Sequence, residues 1–217
     1  MKVERSHQAP ARHQRAGWSP LAAALLLAGC GNLTAGGVGE ATVFVTGDAP
    51  GALAAAAPAS TLGPRSPAAS GDDEPEGELE MEFLLHLVTD EGEAVPLTDQ
   101  AARLRVEFPG PQEVEVVTRA VPARRYAALR VTFTELEAEV EAGLVIDGVP
   151  VTGSVEVELE GPALVVERAL DLDLGDGGRA ELLVDMNASG WLTAVDPDLK
   201  VVAGAVVSNL IRVVRRR

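Results

Sequence analysis

The chain has 217 residues, with 18 Lys and Arg against 33 Asp and Glu, for a formal net charge of −15. That balance argues against nucleic-acid recognition, whose surfaces are basic, and against charge-driven docking on anionic lipid. A single cysteine leaves no internal disulfide, and four Phe, two Trp and one Tyr leave the core to aliphatic packing.

Residues 1–20 carry Lys2, Arg5, Arg12 and Arg15 against one acid, Glu4. The apolar run Leu21–Ala28 follows, and then Gly29 and Cys30. A basic flank, a short apolar core and small closing residues are the parts of a secretory leader over 1–29. Its apolar core falls far short of the ~20 residues a permanent membrane helix needs. Leu27-Ala28-Gly29-Cys30 resembles the bacterial lipobox, in which a peptidase cuts before a cysteine whose thiol has been diacylated. The resemblance implies a lipid anchor at Cys30 and a place in the bacterial cell envelope. Gly31-Asn32 lacks the aspartate that commonly retains lipoproteins at the inner membrane, so the resemblance leans to the outer membrane in a diderm host. The other reading is an unrelated thiol in an ordinary leader. With the leader's four basic residues and one acid removed, the remaining 188 residues carry about −18.

Residues 30–39 read as a flexible tether, and 40–47 (EATVFVTG) as a short strand with Val43 and Val45 on one face. Residues 48–78 are rich in Pro, Ala, Gly and Ser and end in an acidic cluster, a composition that does not repay ordering and reads as a disordered linker or loop. The strand either joins the main sheet, with the loop as an insertion, or is a frayed arm; its clean alternation favours the sheet.

From Leu79 to Arg217 the chain is strand-like almost throughout. Segments 79–88, 103–108, 113–117, 126–141, 154–160, 163–174 and 179–186 alternate apolar with polar residues, the pattern of half-buried antiparallel strands. Leu129, Val131 and Phe133 share one face, as do Leu136, Ala138 and Val140. Residues 135–142 also suit a helix, but their strict alternation favours a strand. Asp147-Gly148 predicts a tight hairpin turn between 144–146 and 149–151. The end, 201–217, reads as one or two closing strands rather than an amphipathic helix, given its valine density. Short strands at such spacing predict an all-β antiparallel sandwich, immunoglobulin-like or transthyretin-like, or a partly open barrel, without the crossover helices of a parallel sheet.

Catalytic chemistry has little to stand on. His86 is the one histidine after the leader and sits in an apolar strand, as a core or boundary residue does. No serine occupies a nucleophile elbow, and acids are too abundant for any one pair to mark a carboxylate-dependent hydrolase. Asp171, Asp173 and Asp176, with Glu181 nearby, form the best candidate for a metal, calcium, which takes several oxygens from a tight loop. The spacing departs from a calcium loop, because Gly175 takes the third ligand position and Leu182 the twelfth; the plainer reading makes Asp171 and Asp173 the outward side of a strand whose hairpin the glycines turn. Arg212, Arg215, Arg216 and Arg217 end the chain as a basic tip, read as a solvated tail ahead of pairing with the acidic surface or contact with lipid head groups.

Two motifs carry a further resemblance. In VPARRYAALRVTF, Pro122, Ala123, Tyr126 and Arg130 match a turn-and-strand pattern; in RAELLVDMNASGWL, Asp185, Asn187, Ala188 and Ser189 match a later corner. Together they resemble an uncharacterised all-β bacterial domain found in lipoproteins, over roughly residues 100–200, with Arg124 where that pattern has glycine. The resemblance implies a sandwich and no established activity. Read physically, Tyr126 packs its ring while its hydroxyl reaches a backbone group. Asp185 and Asn187 cap a tight corner, and Trp191 covers one end of the core. The expected function is a lipid-anchored, non-catalytic envelope module that binds a protein or glycan, with no cofactor. The rivals are a calcium-stabilised adhesion module, a carboxylate-dependent envelope hydrolase and strand addition at a sheet edge.

Overall fold

Valine and leucine alternating with charged residues make strands wherever one face is buried. In chain order these are β1 (Val38–Thr46), β2 (Glu76–Thr89), β3 (Ala94–Pro96), β4 (Ala102–Phe108), β5 (Glu113–Pro122), β6 (Arg125–Ala142), β7 (Val145–Ile146), β8 (Val149–Pro150), β9 (Gly153–Glu158), β10 (Leu164–Asp173) and β11 (Arg179–Asp185). Helix α1 (Ala188–Leu192), β12 (Val201–Ala203), α2 (Gly204–Leu210) and β13 (Arg212–Arg215) complete the domain. The structure, a computed structural model, describes residues 36–48, 74–110, 112–159 and 161–216. The expected leader, Cys30, residues 49–73 of the expected linker and Arg217 lie outside the described residues.

The domain is an all-β sandwich. One sheet has the order β13-β11-β1-β5; the other runs β12-β9-β6-β2-β3, with β10 also on β6 and β4 also on β2. Their inner faces meet where Val45 and Val184 of the small sheet oppose Met81, Phe83, Val131 and Phe133 of the large one. Phe83 and Phe133 pack there with ring centroids 5.8 Å apart.

The purely antiparallel expectation is corrected at two pairs: β1 runs parallel to β11, and β12 to β9. Parallel neighbours need a long crossover. Among the described residues no helix lies between β1 and β11; the strands of the large sheet up to β10 are built there instead. Strand β1 is therefore part of the sheet, between β11 and β5, with Ala41, Val43 and Val45 buried. The expected boundaries move with it. The strand begins at Val38, not Glu40, and β2 already begins at Glu76, inside the expected linker.

Strand β6 is the spine. It pairs along its length with β2, and on its other edge with β10 and then β9. Phe133 lies opposite Phe83 and Glu135 opposite Glu82, so Thr134 is an extra residue, a β-bulge. Before it the odd residues Leu129, Val131 and Phe133 are buried; after it the even residues Leu136, Ala138 and Val140 are. Both alternations in the sequence are thus real, and the bulge joins them on one face. The strand reading of 135–142 holds.

The C-terminal expectation needs amending. Residues 201–215 form a strand, a helix and a strand, with Val207 fully buried on the helix, where tertiary packing overrides its strand preference. Nor is the basic end a solvated tail. Arg212 and Arg215 lie in β13 against β11, and Arg216 sits over the Phe44 ring at 4.8 Å and pairs with Glu113.

Because β1 fills the middle of its sheet, a chain of residues 74–217 is expected to lack cooperative unfolding, and peptide 36–48 added in trans to restore it. Circular dichroism melts check this; a cooperative melt of 74–217 alone contradicts it.

Candidate functional site: the acidic half of the large sheet

Alternation sets the outer face of the large sheet. Glu78, Glu80 and Glu82 project from β2, and beyond the Thr134 bulge Glu135, Glu137 and Glu139 project from β6. The registers bring these glutamates into direct opposition: Glu78 with Glu139, Glu80 with Glu137, and Glu82 with Glu135. Glu137 also faces Glu156 on β9, and Glu78 faces Glu107 on β4. Like charges directly opposite destabilise a sheet, each by an amount on the order of the ~0.2–1 kcal/mol of a cross-strand pair.

The compensation is one-sided. Arg103 pairs with Glu82 at 2.6 Å, and Arg105 reaches Glu80 at 2.7 Å and Glu78 at 4.0 Å. Among the described residues the ion pairs on these rungs come from these two arginines, both on β4; further along the same face Arg130 of β6 pairs with Glu167 of β10 at 2.8 Å. Exposed pairs of this kind contribute only ~0–1 kcal/mol. On β6 and β9, Ser154 donates a hydrogen bond to Glu137, and the Lys200 ammonium, which donates to the Thr152 carbonyl at 2.6 Å, lies beside Gly153 on the same side as Glu139 without an ion pair to it.

At the open ends of β2, β4 and β6 the face dips into a cleft of about 260 Å³, lined by Glu76, Gly77, Glu78, Glu107, Phe108, Pro109 and Glu141. Gly77 is required there: a Cβ would run into the Glu139 carbonyl. The cleft is smaller than the ~300–1,000 Å³ typical of small-molecule sites and has acid on several sides. A second cavity, about 370 Å³ between β10 and α2, is lined by Ala163, Leu164, Val165, Ala205, Ser208 and Asn209 and holds no ionisable group.

The residues singled out by sequence lie elsewhere. Tyr126 is fully buried and its hydroxyl donates to the Pro122 carbonyl at 2.8 Å, a tyrosine-corner arrangement. Arg124, in the glycine position of the resemblance, pairs with Glu93 at 2.8 Å. The Asn187 N–H donates to Asp185 Oδ1 at 3.0 Å with Asn187 in the left-handed region, as a capped corner requires. Trp191 is fully buried on α1. The calcium candidates are not brought together. Asp171 pairs with Arg125 at 3.0 Å, Asp176 turns back to accept the Val38 N–H at 3.0 Å, and Asp173 lies opposite Arg125 on the sheet. Among the described residues no three His, Cys, Asp or Glu side chains are placed to hold a metal ion. Alternation explains this, since Asp171 and Asp173 stand ~7 Å apart along an outward strand face. His86 is half-buried beside Arg130; burial and then that positive charge hold it below the ordinary imidazole value.

Asp48 escaped the sequence reading. It follows β1 and accepts from the Ser189 hydroxyl at 2.8 Å and the Ser189 N–H at 3.2 Å, capping α1 from another strand. Burial pushes its carboxyl above the ordinary value, opposed by the Ser189 bonds and reinforced by Asp185 and Glu74. The signal for the acidic ladder, glutamate at every second position of 78–82, 135–141 and 156–158, was in the sequence; which strands are neighbours was not.

No protein-family model, curated protein or solved structure matches the chain.

Two outcomes follow from these charges. Glu137→Gln removes two like-charge rungs and is expected to raise stability by a few tenths to ~1 kcal/mol at low salt, a gain that shrinks in 0.5 M NaCl. Urea unfolding at both salt concentrations measures it, and a destabilised variant contradicts it. For Asp48 the raised folded-state pKa means that its contribution is full below the unfolded carboxyl value, ~3.9, and is lost as pH rises through the folded value. Asp48→Asn keeps an acceptor for Ser189 without ionising. It should be the more stable form at neutral pH and match the parent at about pH 3; a less stable variant at neutral pH counts against the assignment.

Proposed function

We propose that this chain is a lipid-anchored module of the bacterial cell envelope that binds a basic partner protein on the acidic half of its large sheet and carries out no reaction. The observation that carries the binding role is the set of five glutamate–glutamate rungs across β4, β2, β6 and β9. Nothing in a sandwich requires glutamate at these outward positions; threonine or lysine would serve the strand and lower the repulsion. Their cost is recovered when a partner supplies the missing cations. A basic segment laid across the rungs would also gain from steering by the whole acidic domain, and the cleft beside Phe108 suits one long lysine or arginine side chain.

The anchor is supported by Leu27-Ala28-Gly29-Cys30 after a short apolar core. A protein partner fits better than a glycan, since Tyr126 and Trp191, the aromatic residues best suited to stack on sugar, are both fully buried. The non-catalytic reading is supported by the isolation of His86, the one histidine after the leader.

The test is calorimetric titration of residues 36–217 with an alternating lysine–valine peptide. Two triple variants separate a site from bulk charge: Glu80→Gln/Glu137→Gln/Glu156→Gln on the face, and Asp90→Asn/Glu91→Gln/Asp173→Asn away from it. The account expects saturable binding that the first variant abolishes and the second keeps. Equal loss in both would mean that net charge alone attracts the peptide, and the proposed face would be wrong.

A further inference from the structure

We infer that the end of the sandwich formed by the turns at 89–93, 122–125 and 174–178 faces the bilayer, and that the acidic half of the large sheet is held away from it. The inference rests on the lipid anchor proposed above and adds the orientation it enforces.

Chain entry determines the direction. Val38 opens β1 at the turn end, where its N–H is bound by Asp176 and the Gly37 carbonyl accepts the Ala123 N–H at 2.7 Å. From there β1 runs nine residues to Thr46, about 30 Å at ~3.3 Å per residue. Gly47, just beyond, packs against the Glu107 carbonyl and Phe108, so the far end of β1 is level with the Glu107–Glu78–Glu139 rung.

The anchor's reach is short by comparison. Cys30 precedes Gly37 by seven residues, which span at most ~25 Å even fully extended. To place the acidic end on the bilayer with the turn end pointing away, the tether would have to run the full ~30 Å of β1 and more. It is too short for that.

Charge points the same way. At the turn end Glu93 is paired with Arg124 at 2.8 Å, and Asp90 and Asp171 share Arg125 at 3.7 and 3.0 Å. That end stays acidic but less so, with Asp90, Glu91, Glu93 and Asp176 in the three turns against Arg124 and Arg125, whereas among the described residues the ion pairs on the five rungs of the far half come from β4. Before an anionic leaflet the unbalanced half is repelled outward, where a partner can reach it.

Orientation is measurable on the full lipidated protein in vesicles of phosphatidylethanolamine, phosphatidylglycerol and a nickel-chelating lipid. A fluorophore is attached at Glu91→Cys in the turn end, or at Val149→Cys beyond the end of β6. Surface nickel should quench the residue 91 label several-fold more strongly than the residue 149 label. Equal quenching, or the reverse order, overturns the orientation. Vesicle flotation of the parent and Cys30→Ser tests the anchor separately: a parent that does not float removes the anchor reading, and the orientation falls with it.

Discussion

The bulge at Thr134 is the constraint on which the rest of the domain depends. Side chains in a strand alternate faces, so a strand of 18 residues can carry two out-of-phase apolar patterns only if one residue is taken out of register. Thr134 is that residue, and its hydroxyl donates to the Glu82 carbonyl at 3.2 Å across the interruption. The single offset puts Leu129, Val131 and Phe133 in the same core as Leu136, Ala138 and Val140. It also decides where the charge goes. With Leu136 inward, Glu135, Glu137 and Glu139 turn outward onto the glutamates of β2. The folded core and the acidic ladder are two consequences of one extra residue.

A second dependence joins the sheets at their ends. Strand β1 finds its partners only later in the chain, β5 on one side and β11 on the other. Its N-terminal end is held by Asp176 and Ala123, its C-terminal end by the Asp48 contacts to Ser189 on α1. Tyr126 ties the β5–β6 turn to the base of the same core. Apart from the backbone bond from Ala123, these polar bonds share a property: each spends a side chain on a backbone group or cap at the rim, so the interior stays aliphatic.

Much of this was legible in the sequence, for local reasons. Period-two alternation identified most strands, Asp147-Gly148 identified a hairpin, and the residue types at 126, 185 and 187 announced polar bonds that the structure makes. Non-local features were not legible. The parallel pairing of β1 with β11 joins segments separated in the chain by everything from β2 to β10. Helix α1 and the cap from Asp48 depend on chain segments about 140 residues apart. The acidic ladder falls between the two cases. Each run of alternating glutamates is plain in the sequence, but a glutamate in one strand and a glutamate in its neighbour become a rung only through register, and register here turns on the bulge. The calcium candidates are separated for the complementary reason: Asp171, Asp173 and Asp176 are close in sequence, while an extended strand and a tight turn send them to separate partners.

Single-residue deletions in β6 test the bulge directly. Removing Thr134 should leave a regular ladder with every neighbouring side chain on its present face, at the loss of one hydrogen bond. Removing Thr132, two residues earlier, drives Phe133 out of the core and should cost about 3–5 kcal/mol. The measurement is the urea unfolding midpoint of the two deletions beside the parent. A midpoint near the parent for the Thr134 deletion and a large fall for the Thr132 deletion is the predicted result. A fall of equal size in both would contradict the claim that Thr134 is the residue that sets the faces of β6.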